Sequence, residues 1–400
     1  MSSVSNTAQP REKLWNSNYL KVWCANFMIF FSFMLLTPLL PLYLSETFGA
    51  DKEMIGIVLS GYTLTALIIR PFSGFLVDSL PRRLVLLVSY GLFCAFFLGY
   101  LAAGSLILFA IVRTLHGAPF GASTVSNSTV AIDVLHPTRR AEGIGYYGLS
   151  NNIATAIGPT VALMIYGAWQ SYDVLFWMAF AVSATGLAIN YTLDLKKREP
   201  VKEKCAISLD RFILLKGWSQ GLCMICYAFS YGVLATYIAI YGKDELGITG
   251  GTGMFFLLLS VGLILSRLVG NRTLSKGKIV ENASIGVAIA VCGYLMFASM
   301  HNHFGYYCSA LIIGLGNGHM FPAFQTMFLN LASNAQRGTA NSTLLVSWDI
   351  GVGLGILAGG SVAEHLGYHA AFWTAFAVNL AGVAFFTLYS RQNFLRNRLR

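Results

Sequence analysis

The chain has 400 residues, of which 56% are hydrophobic and only 11% are charged. A soluble protein of this length carries about 25% charged residues, so the composition argues against a soluble domain. Its apolar stretches of about twenty residues match a helix that crosses the bilayer, whereas a transmembrane β-barrel would show segments of about ten residues with alternating polarity. The net charge of +10 would suit a nucleic-acid partner, but its distribution points elsewhere.

Twelve apolar spans follow one another along the chain, six on each side of a polar segment. They lie near 18–44, 54–77, 84–103, 106–131, 142–166, 173–193, 212–241, 252–271, 281–300, 305–330, 340–363 and 370–390. We predict an all-α membrane protein in which residues 1–193 form an N-terminal six-helix bundle, 194–211 a cytoplasmic linker and 212–400 a C-terminal six-helix bundle. Span 1 is too long for a signal-peptide core of about 7–15 residues, and we expect the chain to retain it.

The basic residues lie in alternate connections between the spans. Arg82 and Arg83 follow span 2, Arg139 and Arg140 follow span 4, and Arg337 follows span 10. Cytoplasmic loops of membrane proteins are enriched in Lys and Arg in this way. The pattern predicts an even number of helices with both termini in the cytoplasm, in a bacterial inner membrane. It also accounts for the positive charge without a nucleic-acid partner.

An internal repeat relates the two sets of spans. Adding 197 to the number of Arg70 gives Arg267, the other arginine at a similar depth in an apolar helix end. The same or nearly the same offset relates Gly117 to Gly314, Gly121 to Gly318, Arg140 to Arg337, Gly158 to Gly355, and the motif FW-x-AFAV at 176–182 to its copy at 372–378. Chance similarity between apolar helices does not produce such a match. Two halves of the same orientation are typical of transporters whose halves rock about a central site.

The loop between spans 2 and 3 reads GFLVDSLPRR over residues 74–83. With the spans and the repeat, it resembles the major facilitator superfamily, and within it the drug:proton antiporters, whose loop reads G-x-L-x-D-R-x-G-R-R. Two positions differ, a serine and a proline where the family has a basic residue and a glycine. The resemblance implies the major facilitator fold and a conformational latch made by Gly74, Asp78, Arg82 and Arg83, with Asp133 as a further partner. The alternative is an ordinary basic loop.

Spans 4 and 5 carry two further parts of this resemblance. Arg113 and His116 lie in RTLHG, which is similar to the family's R-x-x-Q-G motif and implies a role of the arginine in proton transfer or substrate contact. The alternative is an arginine that extends toward the far interface. In span 5, Gly145, Gly158 and Pro159 match part of the family's glycine-rich exporter motif. We expect these residues to pack span 5 closely against span 8, and the motif favours export over uptake.

Polar residues deep within the spans are candidates for proton coupling or substrate contact. Asp349 lies near the middle of span 11, where a carboxylate is costly without a role or a partner, and the repeat places Asn152 opposite it. His116 and His319 lie among small residues, and Asn26 stands in span 1 where several drug antiporters carry an acid. The alternative for each is a static hydrogen-bonding group.

Aromatic residues make up 14% of the chain, and some of them are candidates for the floor of an apolar substrate cavity. Core packing is the alternative in a bundle so rich in phenylalanine. The aromatic and polar cavity candidates are Tyr227, Tyr231, Phe30, Phe33, Asn317 and Gln325. Cys223 and Cys226 form a CxxC motif without an accompanying histidine or acid, which favours packing over a metal or redox site.

These features predict a secondary transporter that moves a small molecule by alternating access. The leading hypothesis is a proton-coupled exporter of amphipathic compounds or drugs, a monomer among membrane lipids. The alternative within transport is a carrier for a specific polar metabolite, such as a sugar, an amino-acid-like compound or a metallophore. An enzyme or a sensor is disfavoured, because the sequence has no phosphate-binding loop, HExxH motif, nucleophile elbow or large soluble domain. We predict no cofactor and no metal site.

Overall fold

The chain folds almost entirely into long helices. A computed structural model describes residues 13–37, 39–50, 52–195, 212–248 and 252–399. In the first half the helices are α1 (Ser17–Leu36), α2 (Leu40–Phe48), α3 (Lys52–Ser79), α4 (Arg82–Ala102), α5 (Leu106–Asp133), α6 (Arg140–Trp169) and α7 (Tyr172–Tyr191). In the second half they are α8 (Trp218–Asp244), α9 (Thr252–Ser275), α10 (Ile279–Ser299), α11 (His303–Leu331), α12 (Arg337–Phe385) and α13 (Arg391–Asn397). A π-helical turn, Phe386–Ser390, joins α12 to α13, and short 3-10 turns at Pro137–Arg139, Leu215–Gly217 and Asn334–Gln336 precede α6, α8 and α12.

The predicted spans differ from the helices at one place. Span 1 is divided into α1 and α2, and a proline stands in the first turn of α2, where its missing N–H is tolerated although it would break a helix interior. Spans 11 and 12 are the two parts of α12, which turns at Gly367, between the two predicted spans. This glycine has φ 85° and ψ 167°, a backbone conformation that is essentially restricted to glycine. The predicted linker 194–211 lies outside the described residues apart from its first two, so the domain boundaries stay predictions.

Nine helices of the described residues are long and apolar enough to cross a membrane, with the two parts of α12 counted separately. The same part of the chain has three further long helices, α6, α9 and α11, of 30, 24 and 29 residues. At a rise of 1.5 Å per residue each is at least about 36 Å long, which exceeds the roughly 30 Å of bilayer hydrocarbon. Their lower hydropathy suits their position, because α6 packs on α9 and α11 across the centre of the molecule. The twelve crossings confirm the predicted fold class.

The two halves repeat the same packing. In the first half α3 packs on α5 and α1 packs on α6 and α7, while in the second half α9 packs on α11 and α8 packs on α12. The repeat extends to single contacts. A Cβ on Gly117 would overlap the carbonyl oxygen of Tyr62, and a Cβ on Gly314 would overlap that of Leu259. Because small residues let helices approach so closely, equivalent helices cross at the same place in each half.

The halves meet where α3 packs on α12 and where α6 packs on α9. We call the end of the bundle that holds residues 13 and 399 the terminal end, and the opposite end the distal end. At the terminal end one apolar cluster contains residues of both halves, among them Ile132, Ile144, Met320, Ala323, Phe324, Met327 and Phe328. At the distal end each half has a cluster of its own, around Tyr43, Phe97, Phe109 and Phe176 in the first and Tyr241, Phe255, Phe297 and Phe372 in the second. The halves are therefore closed against each other at the terminal end.

Candidate functional site between the halves

An ion pair joins the two halves within the membrane-spanning helices α3 and α12. Nη1 of Arg70, on α3, lies 2.5 Å from Oδ2 of Asp349, on α12. The same nitrogen donates a hydrogen bond of 3.1 Å to the carbonyl oxygen of Leu345, one helical turn before Asp349. Arg70 is only 7% exposed, and a buried charge of this kind needs a counter-charge. The predicted coupling residue Asp349 thus has its partner on the opposite half, and sequence reasoning noted Arg70 only as a repeat position.

The second half carries an equivalent arginine that has no ion-pair partner among the described residues. Arg267, on α9, is 3% exposed, and its Nε and Nη1 have no hydrogen-bond partner. Its Nη2 faces α6 so closely that a Cβ on Gly148 would lie 2.8 Å away. Asn152 is one turn further along α6, and its Nδ2 is also buried without a partner. The α6–α9 contact therefore repeats the α3–α12 contact with an amide at the position of the acid.

Asp78 binds the first turn of α12 at the terminal end. Its Oδ1 accepts a hydrogen bond of 3.0 Å from the backbone N–H of Gly338. Its Oδ2 accepts from the backbone N–H of Thr339 at 2.9 Å and from the hydroxyl of Thr339 at 3.1 Å. The first N–H groups of a helix have no partner within the helix, and they carry the positive end of its dipole. A carboxylate placed there ties α3 to α12.

The other predicted latch residues divide between this cluster and a separate site. Asp133 pairs with Arg82 of its own half and with Arg337 of the other half, whose Nη1 is 2.9 Å from Oδ1 of Asp133. Arg82 also lies 3.4 Å from Oδ1 of Asp78. The cluster therefore brings together Asp78, Arg82 and Asp133, and it includes Arg337, which the sequence indicated only as a loop charge and a repeat position.

Two predicted latch positions contribute differently. A Cβ on Gly74 would lie 2.9 Å from the carbonyl oxygen of Gly338 and 2.6 Å from the hydroxyl oxygen of Ser342, so this glycine allows α3 and α12 to touch. Arg83 instead points to the C-terminal end of α7, where it donates to the carbonyl oxygens of Tyr191 at 2.7 Å and Leu193 at 3.1 Å. Arg83 thus binds within its own half and takes no part in the contact between the halves.

Arg113 lies in an aromatic enclosure within the first half. It is 4% exposed, its guanidinium carbon lies 4.0 Å from the ring centre of Tyr62, and its Nη1 donates to the hydroxyl of Tyr100 at 3.1 Å. That hydroxyl is 2.7 Å from Nδ1 of His116. Phe33 stacks on Tyr62 at a centroid distance of 5.2 Å. Arg113 is therefore held inside the first half. Its side chain does not extend toward the membrane surface, which was the alternative drawn from the sequence.

Most of the remaining polar candidates have hydrogen-bond partners. Asn26 donates to the hydroxyl oxygen of Ser150 at 2.9 Å and accepts from the hydroxyl of Tyr147 at 2.7 Å. Nδ1 of His319 lies 2.9 Å from Oδ1 of Asn282. The side chains of Gln325 and Asn341 are joined at 2.8 Å, and Asn341 donates onward to Ser128 of the other half.

The remaining cavity candidates lie in packed surroundings. Phe30 packs edge-on to Phe120 at 5.8 Å between ring centres, and Tyr231 faces Trp348 at 5.5 Å. Asn317 is buried, and so is Tyr227, whose hydroxyl has no partner.

The glycine motif of α6 contacts a different neighbour from the one predicted. A Cβ on Gly158 would lie 2.5 Å from Cβ of Met34, so this residue packs on α1 and not on α9. Gly145 is buried and Pro159 lies inside α6. The expected close packing of α6 on α9 does occur, but at Gly148 against Arg267. The prediction was wrong for Gly158, because a motif match does not say which face of a helix each glycine occupies.

Comparison with known proteins places this fold in a family. The chain is 22% identical to the staphylopine export protein of Staphylococcus aureus, over 88% of this chain and 90% of that one. It is 25% identical to the multidrug resistance protein MdtG of Proteus mirabilis, over 95% and 96% of the two chains. The crystal structure of the human organic anion transporter MFSD10 superposes with a TM-score of 0.80 at 17% identity, over 92% of this chain and 98% of that one. The sequence model described as Major Facilitator Superfamily matches residues 22–342 and 283–397, and the chain belongs to that superfamily of membrane transporters.

Proposed function

We propose that the chain is a proton-coupled exporter of small amphipathic compounds that works by alternating access. Two relatives over most of its length are a staphylopine export protein and a multidrug resistance protein, which supports export as the direction. A transporter of this kind needs a titratable group at depth whose protonation changes the contact between its halves. The observation that carries the proposal is the Arg70–Asp349 pair, because it supplies such a group between α3 and α12.

The pair would couple the proton to the movement of the halves through its charge. Ionised Asp349 holds Arg70 across the contact between α3 and α12. Protonation neutralises the carboxylate and removes most of the attraction, so the halves separate more easily there. In the proposal, the terminal cluster around Asp78 and Asp133 opens in the same movement, since it joins the same two halves.

The distribution of basic residues supports the orientation. We propose that the terminal end faces the cytoplasm of a bacterium, with both termini on that side, and that the distal end faces the exterior. The structure closed at the terminal end is then the outward-facing state. The protein works among inner-membrane lipids, as a monomer, with protons and a small molecule as its partners.

The test is transport by the purified protein in liposomes. A fluorescent amphipathic dye should be moved when a pH gradient is imposed and should stop moving when the gradient is collapsed. Asp349→Asn should abolish the gradient-driven part of the flux. The matched control is Glu281→Gln, an acid exposed at the terminal end and paired only with Lys278. Equal flux with and without the gradient, or full flux in Asp349→Asn, would contradict proton coupling.

A carrier for one specific polar metabolite is the second candidate function. The hydrogen-bonded row of Gln325, Asn341 and Ser128 crosses between the halves and favours a polar ligand over a purely apolar one. Accumulation of candidate metabolites in cells with and without the protein separates the two functions. Saturable transport of one compound, without movement of unrelated dyes, would support the metabolite carrier.

A further inference from the structure

The repeat makes the two interface arginines directly comparable. Arg70 contacts Leu345 and Asp349, which are one turn apart on α12. Subtracting the repeat offset of 197 from these two positions gives Gly148 and Asn152 on α6. Arg267, the equivalent of Arg70, contacts Gly148. An arginine therefore faces the same two helix positions in both contacts between the halves. The position of the carboxylate is Asp349 in one contact and Asn152 in the other.

Arg267 is left with an unbalanced charge. Within the described part of the chain its guanidinium makes no ion pair and no hydrogen bond, and two of its nitrogens are fully buried. An arginine without a counter-charge in the bilayer interior is strongly unfavourable, and such residues mark substrate or ion pathways. The neighbouring Asn152 offers a second unpaired donor, its buried Nδ2. Arg267, at Gly148, and Asn152, one turn further along α6, thus supply unpaired donors where the other half has a carboxylate, and this makes the position a place for an anion.

We propose that Arg267 and Asn152 bind a carboxylate group of the transported compound, at the position that Asp349 occupies in the other half. A carboxylate matches the planar donor face of a guanidinium and accepts several hydrogen bonds at once. The site lies where α6 and α9 meet, one of the two contacts between the halves. The inference rests on the proposed transport function and narrows its substrates to organic anions whose remaining surface is apolar.

The experiment measures binding without any gradient, so it is independent of proton coupling. The probes are matched pairs of aromatic and aliphatic carboxylates and their neutral amides, with the corresponding sulfonates as a further arm. Protein in lipid nanodiscs is heated with each probe, and the shift of the melting temperature gives an apparent affinity. We expect at least one carboxylate to stabilise the protein when its amide does not. A sulfonate that binds better than the carboxylate, or equal stabilisation by every acid and its amide, would overturn the proposal.

Two variants locate the binding. Arg267→Gln should lower the affinity for the carboxylate at least tenfold. Asn152→Asp should do the same, because it supplies an internal counter-charge, and it should raise the melting temperature of the ligand-free protein. This second variant keeps the test valid if Arg267→Gln does not fold.

The control is Asn302→Asp, which adds the same charge at the N-cap of α11, at the distal end, where either residue caps well. Unchanged carboxylate affinity in Asn152→Asp would contradict the site. Gradient-driven dye export without any carboxylate preference would reject this inference and leave the proposed function intact.

Discussion

At the scale of single residues, two buried arginines, Arg70 and Arg113, are stabilised in different ways. Arg70 has the carboxylate of Asp349 at 2.5 Å. Arg113 has the ring of Tyr62 at 4.0 Å and the hydroxyl of Tyr100. A desolvated cation–π contact contributes about 2 kcal/mol, whereas breaking a buried ion pair costs about 3–5 kcal/mol because it leaves one charge unbalanced. Loss of the Arg70–Asp349 pair should therefore affect stability more than loss of the contact between Arg113 and Tyr62.

The first prediction tests this ion pair by its stability. Asp349→Asn should lower the free energy of unfolding by about 3 kcal/mol, since Arg70 stays buried without a counter-charge. Adding Arg70→Gln should restore part of the loss, because the uncompensated charge is then removed. Thermal unfolding of the purified variants in detergent measures both effects. Glu281→Gln serves as the control, since an exposed pair contributes at most about 1 kcal/mol. A double variant less stable than Asp349→Asn would contradict the argument.

Sequence reasoning identified the members of this site better than their partners. Asp349 was found by its depth in an apolar span, and Arg70 by its repeat counterpart. Their pairing was not predictable, because it depends on how two distant helices are placed side by side. Arg83 shows the same limit: its motif predicted a latch, but Arg83 donates to two carbonyl oxygens at the end of α7.

At the scale of helices, the contact between α3 and α12 is close because glycines face each other across it. A Cβ on Gly74 would lie 2.9 Å from the carbonyl oxygen of Gly338, and a Cβ on Gly338 would lie 2.7 Å from that of Gly74. Asp78 is bonded to the start of α12 one turn away. The two helices can therefore approach to backbone distance while the orphan N–H groups of α12 keep a partner.

The second prediction concerns the closeness of this contact. Gly74→Ala should separate α3 from α12 at the terminal end, because the added methyl meets backbone that cannot turn aside, at a cost of about 1–3 kcal/mol. Spin labels at Leu80 and Lys278 should report a longer or broader distance distribution across the terminal end. Gly91→Ala is the control, since its nearest neighbour is a flexible leucine carbon 4.0 Å away. An unchanged distance in Gly74→Ala would mean that the contact tolerates a methyl group.

At the scale of the whole molecule, the twelve crossings were predictable because each helix must satisfy its own backbone in lipid and show an apolar surface. The repeat made the division into two halves predictable as well. The sequence could not say which end of the bundle is closed, since an alternating-access transporter closes each end in turn. The break at Gly367 falls in the predicted gap between spans 11 and 12, but the sequence did not show that a single glycine makes the reversal.

The third prediction concerns orientation. With the terminal end in the cytoplasm, green fluorescent protein fused after Arg400 should fluoresce in cells, and alkaline phosphatase fused there should be inactive. Phosphatase fused after Gly104, between α4 and α5 at the distal end, should be active because it reaches the oxidising exterior. The two fusions control for each other's expression. The reverse pattern would invert the orientation and, with it, the direction of transport that we propose.

The turns at Gln170 and Gly367 have a mechanical consequence. They occupy equivalent positions of the repeat, with positive φ of 48° and 85°. Each joins two crossings through one or two residues outside a helical conformation. Such a short connection cannot stretch or shorten when one of its helices moves. A tilt of α6 is then transmitted to α7 at once, and the two parts of α12 are linked in the same way. Each half can thus move as a rigid body. Its motion then changes the contact between the halves and does not bend the helices within a half.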